Sequence, residues 1–232
     1  TSNKVVDGTV LQASDGLKIN DVLIEMLDTQ TTSNFSAADK ANAINAKSLE
    51  TGVTAKGHNS IDVVIDLLGS TMSEHSDATI QGITVNFSSD TNLVDMVSAI
   101  NTAMAGSNDI IASATSLGKL NLSSASGATI TIDDSADGTG AGLLFKSATY
   151  TQDASATAYT SGAITARGFI SLTSATGDPI KIEDGQQDTG ADSGSDRIGF
   201  SSSNEEGTTS SGVSVSTVNN ASASIVSIDA AI

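Results

Sequence analysis

The chain has 232 residues, enough for one or two domains with a real core, and its 27 acidic residues against 10 basic ones give a formal charge of −17. That balance speaks against a nucleic-acid partner, which needs a positive footprint, and against an anionic membrane surface. Cysteine is absent, which excludes a disulfide scaffold and a thiolate metal site, and no apolar run approaches the ~18 residues of a spanning helix.

Aromatics make up 3% of the chain and Trp is absent, so the expected core is Ile, Val, Leu and Ala in thin layers, without a large ligand cavity. The first stretch alternates. Val10 is followed by Ala13-Ser14-Asp15-Gly16 and then by Leu17, Ile19 and Val22. Asp15-Gly16 reads as a hairpin turn. Leu17 to Leu27 reads as a strand that runs into a Thr/Ser/Asn-rich link at 29–34. Residues 35–57, FSAADKANAINAKSLETGVTAKG, then predict a helix, a stop and a strand. Ser36 is placed to cap the helix, and Asp39 favours its N-terminal dipole. Ala37, Ala38, Ala41, Ala43, Ile44, Ala46 and Leu49 supply helix formers and an apolar stripe. Gly52 is the left-handed stop. Val53, Ala55 and Gly57 alternate with polar residues, as on a half-buried strand. Ile61 to Leu68 is strand-forming by its β-branched content, and 69–77 is a polar break.

A second unit begins at Ala78. Ile80, Ile83, Val85 and Phe87 predict a strand. Asp90 is placed to cap a helix with Leu93, Val94, Met96, Val97 and Ile100 on its apolar face. Ala-Ile-Asn at 99–101 repeats Ala-Ile-Asn at 43–45. Gly106 stops the helix, Ile110 to Ala114 is the next strand, and 118–134, GKLNLSSASGATITIDD, reads as a hairpin turning near Ser126-Gly127. Leu143, Leu144 and Phe145 close the unit.

Residues 168–184, GFISLTSATGDPIKIED, align without a gap to 118–134. Gly118/Gly168, Leu122/Leu172, Ser124/Ser174, Gly127/Gly177, Ile130/Ile180, Ile132/Ile182 and Asp134/Asp184 are identical pairs. Ile164 to Gly168 also echoes Val53 to Gly57. The first unit has the strand–helix front without a clear tail, the third has the tail without the helix, and the second has both. Two arrangements fit: the middle unit inserted into an outer one, or three units in tandem with one degenerate. The favoured reading is the insertion, which brings the chain ends together as an inserted domain needs. It gives a discontinuous outer domain of residues 1–69 plus 160–218, an inserted domain of 70–159, and a helix start at 219–232, where Ile225, Ile228 and Ile232 fall at helical spacing. Val213 and Val215 precede it as a last short strand. The expected fold class is α+β, mostly β, with repeated strand–helix–strand–hairpin units whose short helices pack on antiparallel sheets.

Together the strand, the Ala-Ile-Asn helix, Thr-Gly-Val-Thr-Ala and the Leu-x-Leu-Ser-Ser-Ala-x-Gly hairpin resemble the motif that recurs in bacterial flagellins and hook-associated proteins. The ending SASIVSIDAAI at 222–232 resembles the start of flagellin's C-terminal helix. The likeness covers most of residues 8–200, plus that ending. It implies the variable, surface-exposed region of a secreted, extracellular filament subunit, an internal fragment of a longer protein. Partners would be other flagellin subunits, held through helical ends outside this fragment, with host or surface contacts open. The fragment alone is expected to be monomeric, with no nucleic-acid or membrane partner. Hook-associated junction or cap proteins share the motif and remain an alternative, as does an adhesin-like binding module. O-glycosylation is an expectation of the resemblance, and no consensus selects its residues.

No catalytic, cofactor or metal-binding residue is nominated, and no enzyme or cofactor is expected. His58 and His75 each lie in a polar loop and read as solvated surface histidines. Some flagellins carry a zinc protease in this region; Glu74-His75 does not continue into the His-Glu-x-x-His that such a site needs. Asp133, Ser135, Asp137 and Gly138 partly mimic a calcium loop, but Leu144 stands where the bidentate acid belongs. Asp184, Asp188, Asp192 and Asp196 form a second acidic loop. Asn-x-Ser sequons at Asn34, Asn86, Asn121 and Asn220 are expected by chance in so serine-rich a chain.

Overall fold

The structure is a computed structural model that describes residues 1–2, 4–26, 35–65, 77–87, 92–106, 109–133, 145–151, 159–160, 163–183 and 194–200. After a 3-10 turn at Ala13–Asp15 come β1 (Lys18–Ile19), β2 (Val22–Leu23), α1 (Ala37–Ala46), α2 (Ser48–Thr51) and β3 (Val53–Ile65). Then follow β4 (Asp77–Ile80), β5 (Ile83–Asn86), α3 (Leu93–Met104), β6 (Ile110–Ala114), β7 (Leu120–Ser124) and β8 (Ile130–Asp133). The last elements are β9 (Phe145–Tyr150), β10 (Tyr159–Thr160), β11 (Ala163–Ala166), β12 (Phe169–Ser174), β13 (Ile182–Glu183) and α4 (Gly194–Arg197). Short helices accompany antiparallel strands, so the fold is α+β and mostly β. The described residues gather into two compact units, one from 1–35, 39–56 and 170 onward, the other from 36–38 and 57–169.

In the first unit, β1 and β2 form a tight hairpin, Ile19 opposite Val22. Its turn is Asn20-Asp21, both at positive φ (50° and 67°), the geometry of a two-residue hairpin loop that follows the strand twist. β13 pairs on the other side of β1, Ile19 opposite Ile182. Gly16 is left-handed, but it ends the 3-10 turn rather than making the hairpin. The hairpin therefore sits five residues later than the Asp15-Gly16 signal suggested, because Asn and Asp also tolerate positive φ. α1 buries Ala41 and Ile44, and the core continues through Leu11, Leu17, Ile19, Ile24, Val53 and Ile198. Leu49 does not join that stripe. The helix breaks at Lys47, and the displaced turn leaves Leu49 fully exposed.

In the second unit, β4 and β5 make a hairpin around Gln81-Gly82, both again at positive φ. The single strand expected over 80–87 is thus two strands. β8 pairs with β4, Ile132 opposite Ile80, and β11 pairs with β8. α3 is capped by Asn92, whose side chain accepts from the Val94 and Asp95 N–H groups; Asp90 lies outside the described residues. α3 buries Met96, Ile100 and Met104, while Val94 is exposed. β6, β7 and the later part of β3 pair in that order, with β9 also on β3. Two edge-to-face aromatic pairs, Phe87–Phe145 and Tyr150–Phe169, add to an otherwise aliphatic core.

The stretch 118–134 is not a hairpin. β7 pairs with β3 and β6, whereas β8 pairs with β4 and β11. The chain turns a corner at Ser126-Gly127 and changes sheets. Its homologous stretch 168–184 does the same, β12 lying beside β3 and β13 beside β1. Alternation shows which face of a strand is buried; it does not name the neighbour. Residues 29–34, Leu143, Leu144, Val213, Val215 and the whole of 219–232 lie outside the described residues.

Candidate functional site

The best-defined polar geometry occurs twice, at the joint between helix and strand. Ala-Ile-Asn lies toward the C-terminal end of each helix, in α1 at 43–45 and in α3 at 99–101. The isoleucine, Ile44 or Ile100, is fully buried. The asparagine beside it turns back onto a strand and takes both backbone groups of one alanine. Asn45 Nδ2 donates to Ala55 O at 2.9 Å, and Ala55 N–H donates to Asn45 Oδ1 at 2.7 Å. Asn101 Nδ2 donates to Ala112 O at 2.9 Å, and Ala112 N–H donates to Asn101 Oδ1 at 2.8 Å. The sequence displayed the repeat; what it did not display was that the Asn bonds a backbone ten or eleven residues on.

A second cluster belongs to the first unit alone. Lys40 is fully buried on α1. Its ammonium donates to Asp7 Oδ1 at 2.6 Å, to Asp7 O at 2.8 Å, and to Arg197 O. The three acceptors match its three N–H groups. Arg197 in turn lies against Asp15 Oδ2 at 3.1 Å and Asp7 Oδ2 at 3.8 Å. The ammonium ties Asp7 and Arg197 to α1, as a structural anchor does. The available signal was Lys40 standing one helical turn before Ile44, on the buried face.

In the second unit, Asp109 fastens the corner after β7. It accepts from Ser124 Oγ at 2.7 Å and from the Ser126 N–H at 2.9 Å. Partial burial pushes its carboxyl up, but the bonds from Ser126 and Ser124 outweigh that and hold it below its usual value of 3.8. Tyr150 is pushed up by burial, and its hydroxyl accepts from the Arg167 N–H at 3.1 Å. In the first unit, hydrogen bonds to Asp21 and then Glu183 raise Lys181, and the bond from Lys181 lowers Asp21.

Of the residues weighed from the sequence, those that the structure describes do not converge. His58, expected in a solvated loop, is instead half-buried within β3, because the alternation that starts at Val53 runs on unbroken to Ile65. His75 and Glu74 lie outside the described residues, as do Ser135, Asp137, Gly138, Leu144, Asp184, Asp188, Asp192, Asn34 and Asn220. Asp133 ends β8, exposed. Asp196 pairs with Lys4 at 3.3 Å. Asn86 on β5 donates to Asp77 Oδ1, and Asn121 on β7 donates to Ser60 Oγ, Ile61 O and Asp62 Oδ1. Among the described residues no three His, Asp or Glu side chains gather to hold a metal ion. A shallow polar groove runs between β5 and α3, lined by Thr84, Asn86, Asp95, Ser98 and Thr102; no histidine lines it. No family model matches the chain, and no curated protein matches it.

Proposed function

We propose that this chain is the surface-exposed region of a bacterial flagellin, a structural part of the flagellar filament and not an enzyme. The observation that carries the reading is a meeting of distant segments in the first unit. The Lys4 N–H donates to Gly199 O at 3.0 Å, and Ser2 exchanges bonds with Ile170 through its N–H (2.6 Å) and its Oγ (3.1 Å). Residues 4 to 199 leave and return at one place, so a polymerising scaffold can carry them as a side projection without changing its own packing. The twice-built helix–strand joint adds support, because the residues behind the flagellin-like motif do the same bonding in each copy. The charge of −17 suits a surface that must not stick to its neighbours. A junction or cap protein of the flagellum is the competing reading, since it would use the same motif.

Electron microscopy of filaments tests both. The protein that carries this chain is assembled beside a version lacking residues 1–218. Thinner filaments from the shortened protein are expected. Loss of polymerisation on shortening, or absence of filaments from both, overturns the proposal and turns attention to the junction or cap.

A further inference from the structure

We propose that the Asp178–Pro179 bond is a self-cleavage site, cut in acid by the Asp178 carboxyl while the chain stays folded, and that the two pieces remain held together. Pro179 is the only proline in the chain. It lies at the corner of the first unit, after β12 and before β13. Thr176, Gly177, Asp178 and Pro179 are all exposed, so water reaches the bond. The Thr176 hydroxyl donates to Asp178 Oδ2 at 2.6 Å, and the Asp178 N–H donates back to that hydroxyl oxygen at 3.4 Å. Among the described residues these are the polar contacts of Asp178, and no cation pairs with it. The carboxyl is thus fixed through one oxygen, and Oδ1 keeps no partner. At the aligned place the second unit has Ala128-Thr129, with neither carboxyl nor proline. There the Ala128 N–H is held by Ser124 Oγ at 2.9 Å and Ala128 O by Asn59 Nδ2 at 2.8 Å.

Oδ1 closes a five-membered ring when it attacks the carbonyl carbon of its own residue. The bond from that carbon to the Pro179 nitrogen then breaks, and the nitrogen takes up a proton, which is why acid drives the step. The product is a cyclic anhydride of Asp178, which one water opens to two carboxyls. The net change is the hydrolysis of one peptide bond, with a new carboxyl end at Asp178 and a secondary amine at Pro179. The proline nitrogen carries no hydrogen, so no backbone donor is lost there. Thr176 is a positioning residue: a carboxyl held in one rotamer reaches its target more often than one that turns freely. After the cut, β13 keeps its place on β1, Ile182 opposite Ile19. Asn20 still exchanges bonds with Lys181, its N–H to Lys181 O and its Oδ1 from the Lys181 N–H, both at 2.9 Å. Lys40 still reaches Arg197 O.

The test incubates the whole chain in dilute acid, with mass spectrometry following the products and circular dichroism following the fold. Cleavage into residues 1–178 and 179–232 is expected while the fold signal is intact. The pieces are expected to elute together on sizing until urea parts them. Asp178→Asn and Pro179→Ala are each expected to abolish the cut on the same timescale. Thr176→Val is expected to slow it severalfold in the folded chain and to leave the rate in urea unchanged. No cut at this bond, or a cut that begins only once the fold signal is gone, overturns the proposal. So does one common rate for the folded chain, the chain in urea and Thr176→Val, which would leave an ordinary acid-labile bond. Pieces that separate without urea overturn the claim that the pairing of β13 holds them.

Discussion

The two units share one wiring and differ in how they fasten it. Each has a hairpin with two residues at positive φ, Asn20-Asp21 in one and Gln81-Gly82 in the other. The first turn residue of each donates its N–H to the partner strand, Asn20 to Lys181 O at 2.9 Å and Gln81 to Thr131 O at 3.0 Å. In the gap-free alignment of the tails, Lys181 and Thr131 are the same position. So are the partners of Ile19 and Ile80, which are Ile182 and Ile132. Between Lys56, where the first unit's part of β3 ends, and β12 the chain holds residues 57–168; between the matching strands β6 and β7 of the second unit it is a short turn. The difference teaches that this wiring tolerates a long detour at that turn, because the pairings on either side do not depend on it. The cost of closing a longer loop rises only slowly with its length.

The sharpest contrast is one helical position. Ile44/Ile100 and Asn45/Asn101 align the helices, which sets Lys40 against Met96. Both are fully buried. Lys40 has three acceptors waiting; Met96 fills an apolar core. Exchanging them is the strongest way to break the parity. Met96→Lys buries an ammonium with no arranged partner and is expected to cost about 4 kcal/mol, with the second unit losing its cooperative urea transition first. Lys40→Met keeps the volume and leaves two carbonyls and the Asp7 carboxylate without their donor. Asp7 is partly hydrated and still faces Arg197, so about 1–2 kcal/mol is expected. Equal losses in the two exchanges would show that the Lys40 anchor is not matched to its site.

The paired glycines come next. Gly127 and Gly177 occupy the same corner position, both at positive φ (83° and 80°). A Cβ on Gly127 would lie 2.6 Å from the Gly57 backbone, whereas one on Gly177 would meet nothing within 4 Å. Gly127→Ala therefore adds a backbone collision to the left-handed strain, for about 3 kcal/mol. Gly177→Ala carries the strain alone, about 1 kcal/mol. Urea midpoints of the two variants check the ratio, and a Gly177→Ala loss as large as that of Gly127→Ala would contradict it.

These contrasts mark what a sequence displays. The helices were legible because Ala, Ile and Met recur at helical spacing and Gly52 and Gly106 stop them, both left-handed in the structure. The repeated Ala-Ile-Asn and the two homologous tails were legible as identities. The hairpin equivalence was not, because Asn-Asp and Gln-Gly share no residue and only the backbone makes them alike. The corner was missed because strand alternation continues through it while the pairing partners change. Lys40 was missed because a lysine on a helix normally reaches water, and its acceptors come from residues 33 and 157 positions away.

The smallest expected effect separates the two corners by acidity. In the second unit the Ser126 N–H is held by the Asp109 carboxylate; in the first, the N–H one aligned position earlier, that of Ala175, is held by Gly52 O at 2.9 Å, a carbonyl that does not titrate. Because Asp109 is held below its usual 3.8 in the folded chain, its contribution is complete above that value and fades as pH falls through the lower folded value. Asp109→Asn should then cost up to about 1 kcal/mol at neutral pH, discounted for the exposure of the carboxyl. The gap between variant and unaltered protein should close below about pH 3.8. Amide exchange, corrected for its intrinsic pH dependence, should show Ser126 losing protection on acidification while Ala175 keeps it. Parallel loss at both would mean that acid loosens the shared wiring itself, and that the carboxylate at the second corner adds nothing the carbonyl at the first does not already provide.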